Sequence, residues 1–166
     1  MKRSKLIAVL LLGAMLLGGV QPSFAETWGE WFMGLFGANN SIPQGGAYKD
    51  IVGTKPHMEA HHLLPDAVSP FSRGNGPSVL MTPEDHRRTA SYGNSIGAQN
   101  YRNEISNLVN QRNWTGIWQM IENDMAQFGG KYNPGLEQAK PQYDWETTKM
   151  DLNDAIKMLE SLEGMF

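Results

Sequence analysis

Residues 57–89 read HMEAHHLLPDAVSPFSRGNGPSVLMTPEDHRRT, and this stretch decides how the rest of the chain is interpreted. It contains all four histidines of the protein, His57, His61, His62 and His86. Histidine can ligate a metal ion and can act as a general base near neutral pH. Their concentration in one segment therefore predicts a chemical site.

The stretch predicts two strands separated by a long loop. Residues 59–64 form the first strand, and Pro65 closes it because proline cannot donate a hydrogen bond to a ladder. The short apolar run at 78–81 forms the second strand. Successive side chains of a strand point to opposite faces, so His61 and His62 are not expected to do the same job.

A helix is predicted directly after the second strand. Thr82 is a suitable N-cap, Pro83 is tolerated at the first helical position, and Asp85 can complete a capping box. His86 then lies in the first helical turn. The predicted order is strand, loop, strand, helix.

The pattern E-x-H-H at residues 59–62, a glycine-rich loop, and T-P-x-D-H at 82–86 resemble the ββα-metal endonucleases, also called His-Me finger or HNH nucleases. The pattern is similar in particular to nuclease colicins and to HNH-type C-terminal domains of bacterial polymorphic toxins. The resemblance covers about residues 57–132. It implies an α+β fold, in which a small ββα-metal core at about 57–90 is supported by several C-terminal helices.

The resemblance also implies roles for individual residues. His62 would be the general base that activates water, and Glu59 would orient and polarise it. His61 and His86 would be ligands of a divalent metal ion, either Mg²⁺, Mn²⁺, Ni²⁺ or Zn²⁺, which stabilises the charge of the reacting phosphate. The implied reaction is hydrolysis of nucleic-acid phosphodiester bonds, with DNA favoured over RNA.

Three arginines are candidates for binding the substrate phosphates. Arg87 and Arg88 follow His86 directly, and Arg73 lies in the glycine-rich loop. A guanidinium is well suited to binding phosphate. A solvent-exposed position without a ligand is the alternative for each of them.

The sequence departs from the family pattern at two positions. The Asn that usually braces the loop falls at Pro77, for which Asn75 is the nearest substitute, and the second helical ligand falls at Ala90. These departures favour an alternative function, a catalytically degenerate secreted binding protein of the same fold. A zinc peptidase is disfavoured, because no H-E-x-x-H motif is present. For the missing helical ligand, either Asp85, Asn94 or His57 fills the position, or the site holds one metal ion with more water ligands.

Residues 1–25 predict a secretory signal peptide. A basic start precedes an apolar run at 6–20, and the segment ends in Ser-Phe-Ala. The run is short for a membrane span of about 20 residues, so an uncleaved anchor is the less favoured alternative. We therefore expect an exported protein, periplasmic or secreted, with no stable membrane anchor after cleavage. An antibacterial toxin effector with a cognate immunity protein as partner is one role that fits.

The charge of the chain is unevenly distributed. The full chain carries a formal net charge of −3, and the leader holds three basic and no acidic residues, so the mature chain would stand at −6. Residues 49–112 hold seven basic and six acidic residues, whereas residues 122–166 hold four and nine. This balance argues against tight, non-specific binding to nucleic acid. The chain has no cysteine, which excludes disulfides and thiolate metal sites.

The remaining segments are assigned by composition and periodicity. Residues 26–48 are an aromatic segment followed by a linker, and residues 49–166 form the HNH-like domain. One amphipathic helix is predicted from about 95, and a second starts at Asn113 or Thr115 and stops at the glycine pair 129–130. Further on, a short helix is expected to start at 133–134, and a separate final helix is expected from residue 144 or 147 to 164.

Overall fold

The computed structural model describes residues 44–163, so the predicted leader and the aromatic segment lie outside the described residues. The described chain is mixed α and β and rich in helix, as predicted. No helix in this part of the chain is both long and apolar enough to cross a membrane. In chain order the elements are β1 (Gly45–Ala47), α1 (Tyr48–Ile51), β2 (Glu59–His62), a 3-10 turn (Arg73–Asn75), β3 (Pro77–Met81), α2 (Pro83–His86), α3 (Ile96–Asn110), α4 (Trp114–Ala126) and α5 (Asn133–Glu163).

The three strands form one antiparallel sheet in the order β1-β3-β2. All five residues of the central strand β3 are buried, which explains why its sequence is almost continuously apolar. The two predicted strands are confirmed and pair with each other, with His61 opposite Val79. Strand β2 ends at His62, but the Leu63 N–H still donates to the Pro77 carbonyl at 2.9 Å.

Strand β1 corrects the prediction of a linker up to residue 48. It holds only three residues, two of them glycine, and therefore shows no strand pattern in the sequence. It forms because the free edge of β3 accepts it and because α5 lies directly against it. A Cβ built on Gly45 would lie only 1.8 Å from the backbone carbonyl oxygen of Gly135 in α5.

The start of α2 follows the prediction only in part. The Thr82 hydroxyl accepts from the Asp85 N–H at 3.3 Å, and Pro83 takes the first helical position. The second hydrogen bond of the predicted capping box would run from the Thr82 N–H to the Asp85 carboxylate. The Thr82 N–H instead donates to the Tyr132 hydroxyl at 3.3 Å. The Asp85 carboxylate instead accepts from Lys131 at 2.6 Å and from Tyr132 at 2.7 Å.

Helices α3 and α4 match the predicted helical region. The Ser95 hydroxyl caps α3 by accepting from the Ala98 N–H, and the Asn113 side chain caps α4 by accepting from the Gly116 N–H. Gly129 and Gly130 both take positive φ after α4, as expected of the glycine pair that ends it. These helices, α5 and the sheet enclose the core, whose large, fully buried side chains include Leu64, Val79, Met81, Ile105, Ile117, Ile121 and Tyr143.

Helix α5 corrects the prediction of two separate helices in the C-terminal region. It runs unbroken from Asn133 to Glu163 with Pro141 in its interior. A proline inside a helix removes one backbone hydrogen bond and costs about 3 kcal/mol. Here Leu136, Ala139 and Tyr143, on either side of the proline, are buried in the core. Their burial offsets the cost and keeps the helix continuous.

The close approach of β1 and α5 predicts that Gly45→Ala is strongly destabilising. The added methyl group would overlap the Gly135 carbonyl oxygen, and backbone on both sides prevents easy relaxation. We expect a loss of about 2–3 kcal/mol in the free energy of unfolding, measured by chemical denaturation. Gly97→Ala is the matched control, because the nearest atom to its added methyl is the Ser95 Oγ at 3.8 Å. Equal stability of both variants would contradict the described packing of α5 on β1.

The Asp85 carboxylate predicts a pH-dependent contribution to stability. Hydrogen bonds from Lys131 and then Tyr132 lower the pKa of Asp85 to about 2, below its ordinary value of about 4. A depressed carboxyl pKa stabilises the fold above the unfolded-state pKa, and this contribution is lost as the pH falls from about 4 to about 2. Asp85→Asn should therefore lower Tm at pH 7, and its difference from the wild type should shrink at pH 3. Glu84→Gln, an exposed neighbour, is the control, and a difference that stays constant with pH would refute this assignment.

Candidate functional site

A cleft of about 820 Å³ lies between β2, the start of α1, α2 and the loop at 91–94. It brings together most of the residues that the sequence predicted for the site. Arg87 and Arg88 are not among the residues that line it. The predicted residues that do line it are Glu59, His61, His62, Arg73 and His86.

His62 is held by two neighbours that fix its ring. Its Nε2 lies 3.0 Å from the Arg73 carbonyl oxygen. Because a carbonyl oxygen can only accept, Nε2 carries the hydrogen and donates it, which leaves the lone pair on Nδ1. The ring also stacks on Tyr48, with the ring centroids 4.2 Å apart and the planes at 15°. This arrangement suits a general base.

His61 lies on the opposite face of β2 and is only 5% exposed. Burial, and secondarily the nearby His86 and His62 rings, lower the pKa of His61 to about 3. The ring is therefore neutral at physiological pH and keeps a lone pair. A neutral imidazole is the form that binds a metal ion.

Glu59 pairs with His86 rather than with His62. One Glu59 carboxylate oxygen lies 2.6 Å from the Nδ1 of His86. Glu59 and His61 are two residues apart on one strand and share a face, whereas His62 points away from it. The predicted role of Glu59 in orienting His62 was therefore wrong, and its partner is the helical histidine.

The contact with Glu59 leaves Nε2 as the nitrogen of His86 that is available to a ligand. The ring centroids of His86 and His61 are 5.0 Å apart, at an interplanar angle of 66°. A carboxylate that accepts from the far nitrogen of an imidazole is the usual support for a metal-binding histidine. The donor chemistry of this pair fits a divalent ion whose other positions are filled by water or substrate oxygen.

The described residues place only two histidines, His61 and His86, at the candidate metal position. Within residues 44–163, no group of three or more His, Asp or Glu side chains is arranged to hold a metal ion. Asp85 is directed toward Lys131 and Tyr132, and His57 is exposed and does not line the cleft. Of the three residues considered for this position, only Asn94 lines the cleft.

The three predicted phosphate-binding arginines have different surroundings. Arg73 lines the cleft, with its guanidinium 5.4 Å from the centre of the Tyr48 ring and 3.5 Å from Asp66. Arg87 lies 3.8 Å from Glu59, at the edge of a neighbouring cavity of about 550 Å³. Arg88 is a correction to the prediction, because it pairs with Asp85 and lies over the Phe128 ring, away from the cleft.

Three cleft residues were missed by reasoning from the sequence. Tyr48 lies at the end of the predicted linker, and nothing in the sequence indicates that it stacks on His62. The Tyr92 ring lies 5.4 Å from the His86 ring. Arg102 donates to the Ser91 and Gly93 carbonyls at 2.7 and 2.9 Å, which ties the loop at 91–94 to α3. From the sequence alone, Arg102 on the polar side of a predicted helix cannot be distinguished from an ordinary solvent-exposed arginine.

Comparisons of the chain with protein-family models, with curated proteins and with solved structures found no match.

The contact between Glu59 and His86 predicts how a metal ion binds. Glu59→Gln should weaken Zn²⁺ affinity about 10- to 100-fold, because an amide supports the imidazole less well than a carboxylate does. Isothermal titration calorimetry with Zn²⁺ alone measures this effect. Glu84→Gln removes a carboxylate from the exposed side of α2 and is the matched control. An unchanged Zn²⁺ affinity in Glu59→Gln would exclude His86 as a supported ligand.

Proposed function

We propose that this protein is an exported, metal-dependent endonuclease that hydrolyses phosphodiester bonds, with DNA as the preferred substrate. One observation carries the proposal. His62, held through Nε2 by the Arg73 carbonyl, lines the same cleft as the neutral His61 and the Glu59-supported His86. The proposal assigns His62 as the general base and His61 and His86 as the metal ligands, as the resemblance to a ββα-metal core implies.

In the proposed reaction, Nδ1 of His62 takes a proton from water as the water oxygen attacks the phosphorus atom. The P–O bond to the leaving sugar oxygen then breaks, and that oxygen takes a proton from solvent. General-base catalysis of this kind requires a lone pair in a fixed direction. The Arg73 carbonyl and the stacked Tyr48 ring supply that direction. Once protonated, the ring keeps its hydrogen bond to the Arg73 carbonyl.

His61 and His86 are the residues that would hold the metal ion. A divalent ion, when bound there, supplies positive charge to the pentavalent phosphorane and to the leaving oxygen. Burial keeps the His61 lone pair free of a proton at neutral pH. Glu59 fixes the His86 ring so that Nε2 remains available.

Arg73 is the arginine best placed to bind a substrate phosphate. It lines the cleft and more than half of its side chain is exposed. Its backbone carbonyl contacts His62, so a phosphate bound by its guanidinium would lie close to the general base. The positive charge of Arg73 in the cleft is compatible with the net negative charge of the whole chain, because most of the excess of acidic residues lies at 122–166.

The biological role follows from the predicted leader and the toxin-like motif. Export of a small nuclease fits an antibacterial effector that is neutralised by a cognate immunity protein. The leader at 1–25 supports a periplasmic or secreted location.

A second candidate is a catalytically degenerate binding protein of the same fold. It is favoured by the finding that, within residues 44–163, no group of three or more His, Asp or Glu side chains is arranged to hold a metal ion. Pro77, at the position of the usual Asn, points the same way. Such a protein would bind a metal ion or nucleic acid without cleaving it.

A plasmid-nicking assay distinguishes the two candidates. The mature chain, residues 26–166, is incubated with supercoiled DNA and Mg²⁺, Mn²⁺, Ni²⁺, Zn²⁺ or EDTA. We expect metal-dependent nicking, which His62→Ala lowers by about 100-fold or more, the range of general-base catalysis. His57→Ala is the matched control, because His57 is exposed and does not line the cleft, and it should retain full activity.

Circular dichroism of each variant separates loss of chemistry from loss of fold. A folded wild-type protein that nicks DNA with none of these metals, and that leaves RNA intact, would exclude the nuclease and favour the binding protein. Equal losses in His57→Ala and His62→Ala would remove His62 from the role of base.

A further inference from the structure

The C-terminal half of α5 exposes an apolar face. Leu152, Ile156, Leu159 and Leu162 are 52%, 41%, 46% and 44% exposed, and Ala155 between them is also exposed. Single exposed apolar residues are ordinary on protein surfaces, but an aligned set is not. We call these five residues the outer stripe.

Most of the outer stripe lies on the side of α5 that faces away from its own domain. The segment is attached by Met150, which packs on the core, and by Asp151 and Asp154. The Asp151 carboxylate accepts from the Trp114 Nε1 at 3.0 Å, and Asp154 pairs with Arg112. At 3.6 residues per turn, Leu152, Ile156 and Leu159 lie opposite Met150 and Asp154, whereas Ala155 and Leu162 lie beside Asp151. All five side chains of the outer stripe are nevertheless exposed.

The spacing of the outer stripe is that of a helix-pairing seam. Leu152 and Leu159 are seven residues apart and occupy a positions of a heptad, and Ala155 and Leu162 then occupy d positions. Ile156 takes the flanking e position. Apolar a and d positions with a 3.5-residue period bury against another helix.

We propose that the outer stripe is the interface of a symmetric homodimer in which two α5 helices pack antiparallel. In such a pair an a position of one helix faces a d position of the other, so Leu152 faces Leu162 of the partner subunit. The same register places Ala155 opposite Leu159 of the partner subunit. A two-fold axis between identical helices gives the self-complementary contact expected of a closed dimer.

The charges that flank the outer stripe fit this register. In an antiparallel pair, e positions face e positions. Lys149 then faces Glu163 of the partner subunit, and by symmetry the reverse pair also forms. Ile156 faces Ile156 of the partner subunit at the centre. Opposite charges at facing e positions set orientation and partner choice.

The position of the domain on the helix is compatible with the antiparallel orientation. The N-terminal half of α5 packs against β1 and β3, whereas the outer stripe begins only at Leu152. An antiparallel pair places the two domains at opposite ends of the paired helices.

Sedimentation equilibrium of the mature chain, residues 26–166, tests the proposal. The interface is short, so we expect a monomer–dimer equilibrium with a Kd of about micromolar to tens of micromolar. Leu159→Asp should give a monomer at every concentration up to about 500 µM. Ile96→Asp is the matched control, because Ile96 is 78% exposed on α3, outside the outer stripe, and it should leave the Kd unchanged.

A charge exchange tests the register. Glu163→Lys sets two lysines against each other and should raise the Kd about tenfold, and the double variant Lys149→Glu/Glu163→Lys should restore it. Glu163→Lys is preferred to Lys149→Glu as the single variant, because Lys149 also contacts Glu146 of its own helix at 2.7 Å.

Each other outcome overturns part or all of the proposal. A monomeric wild-type chain up to about 500 µM would exclude a second copy as the occupant of the outer stripe. A dimer that survives Leu159→Asp would place the interface elsewhere. A dimer that is lost in Leu159→Asp, but whose Kd is unchanged in the charge-exchange variants, would overturn the antiparallel register. None of these outcomes depends on nuclease activity.

Discussion

The alternation of side chains along β2 is the constraint on which the cleft depends. Glu59 and His61 share one face of this strand, where they meet His86 from α2. His62 projects from the other face, where it meets Tyr48 and the Arg73 carbonyl. One pleated strand thus divides four polar groups between a candidate metal pair and a candidate base. A shift of the β2–β3 register by one residue would exchange the two faces and separate every one of these contacts.

The local parts of the fold were predictable from the sequence, because their signals lie within a few residues. The Thr82 cap, the strand at 78–81 and the glycine pair after α4 each need only neighbouring residues to form. The same holds for the division of His61 and His62 between two faces. In these cases the pattern of neighbouring residues determines the local backbone geometry, so the sequence alone is sufficient to predict it.

The parts that could not be predicted depend on residues far apart in the chain. Asp85 was expected to bond to its own helix start, but its partners are Lys131 and Tyr132. Strand β1 has almost no side chains and is specified by the helix that lies on it. Pro141 indicates a helix break, but the burial of the flanking turns in the core overrides this local preference. The partner of Glu59 was missed because residue types alone do not say which histidine a carboxylate reaches.

Two glutamine side chains of α5 form hydrogen bonds to β1 and to the turn beside the cleft. The Gln138 Oε1 accepts from the Gln44 and Gly45 N–H groups at 2.7 and 3.0 Å, which fixes β1. The Gln142 Nε2 donates to the Asn75 carbonyl at 2.8 Å and so braces the turn whose Arg73 carbonyl orients His62. Residues near the C-terminus of the chain therefore complete a site whose histidines come much earlier.

This arrangement has a consequence for synthesis, whatever the chemistry of the cleft. Translation delivers a chain from its N-terminus, so residues 57–89 emerge before α5 exists. Until residue 142 is available, the turn that orients His62 lacks its brace and β1 lacks the helix that covers it. The cleft is thus assembled last, and an incomplete chain carries the histidines without the geometry that makes them useful.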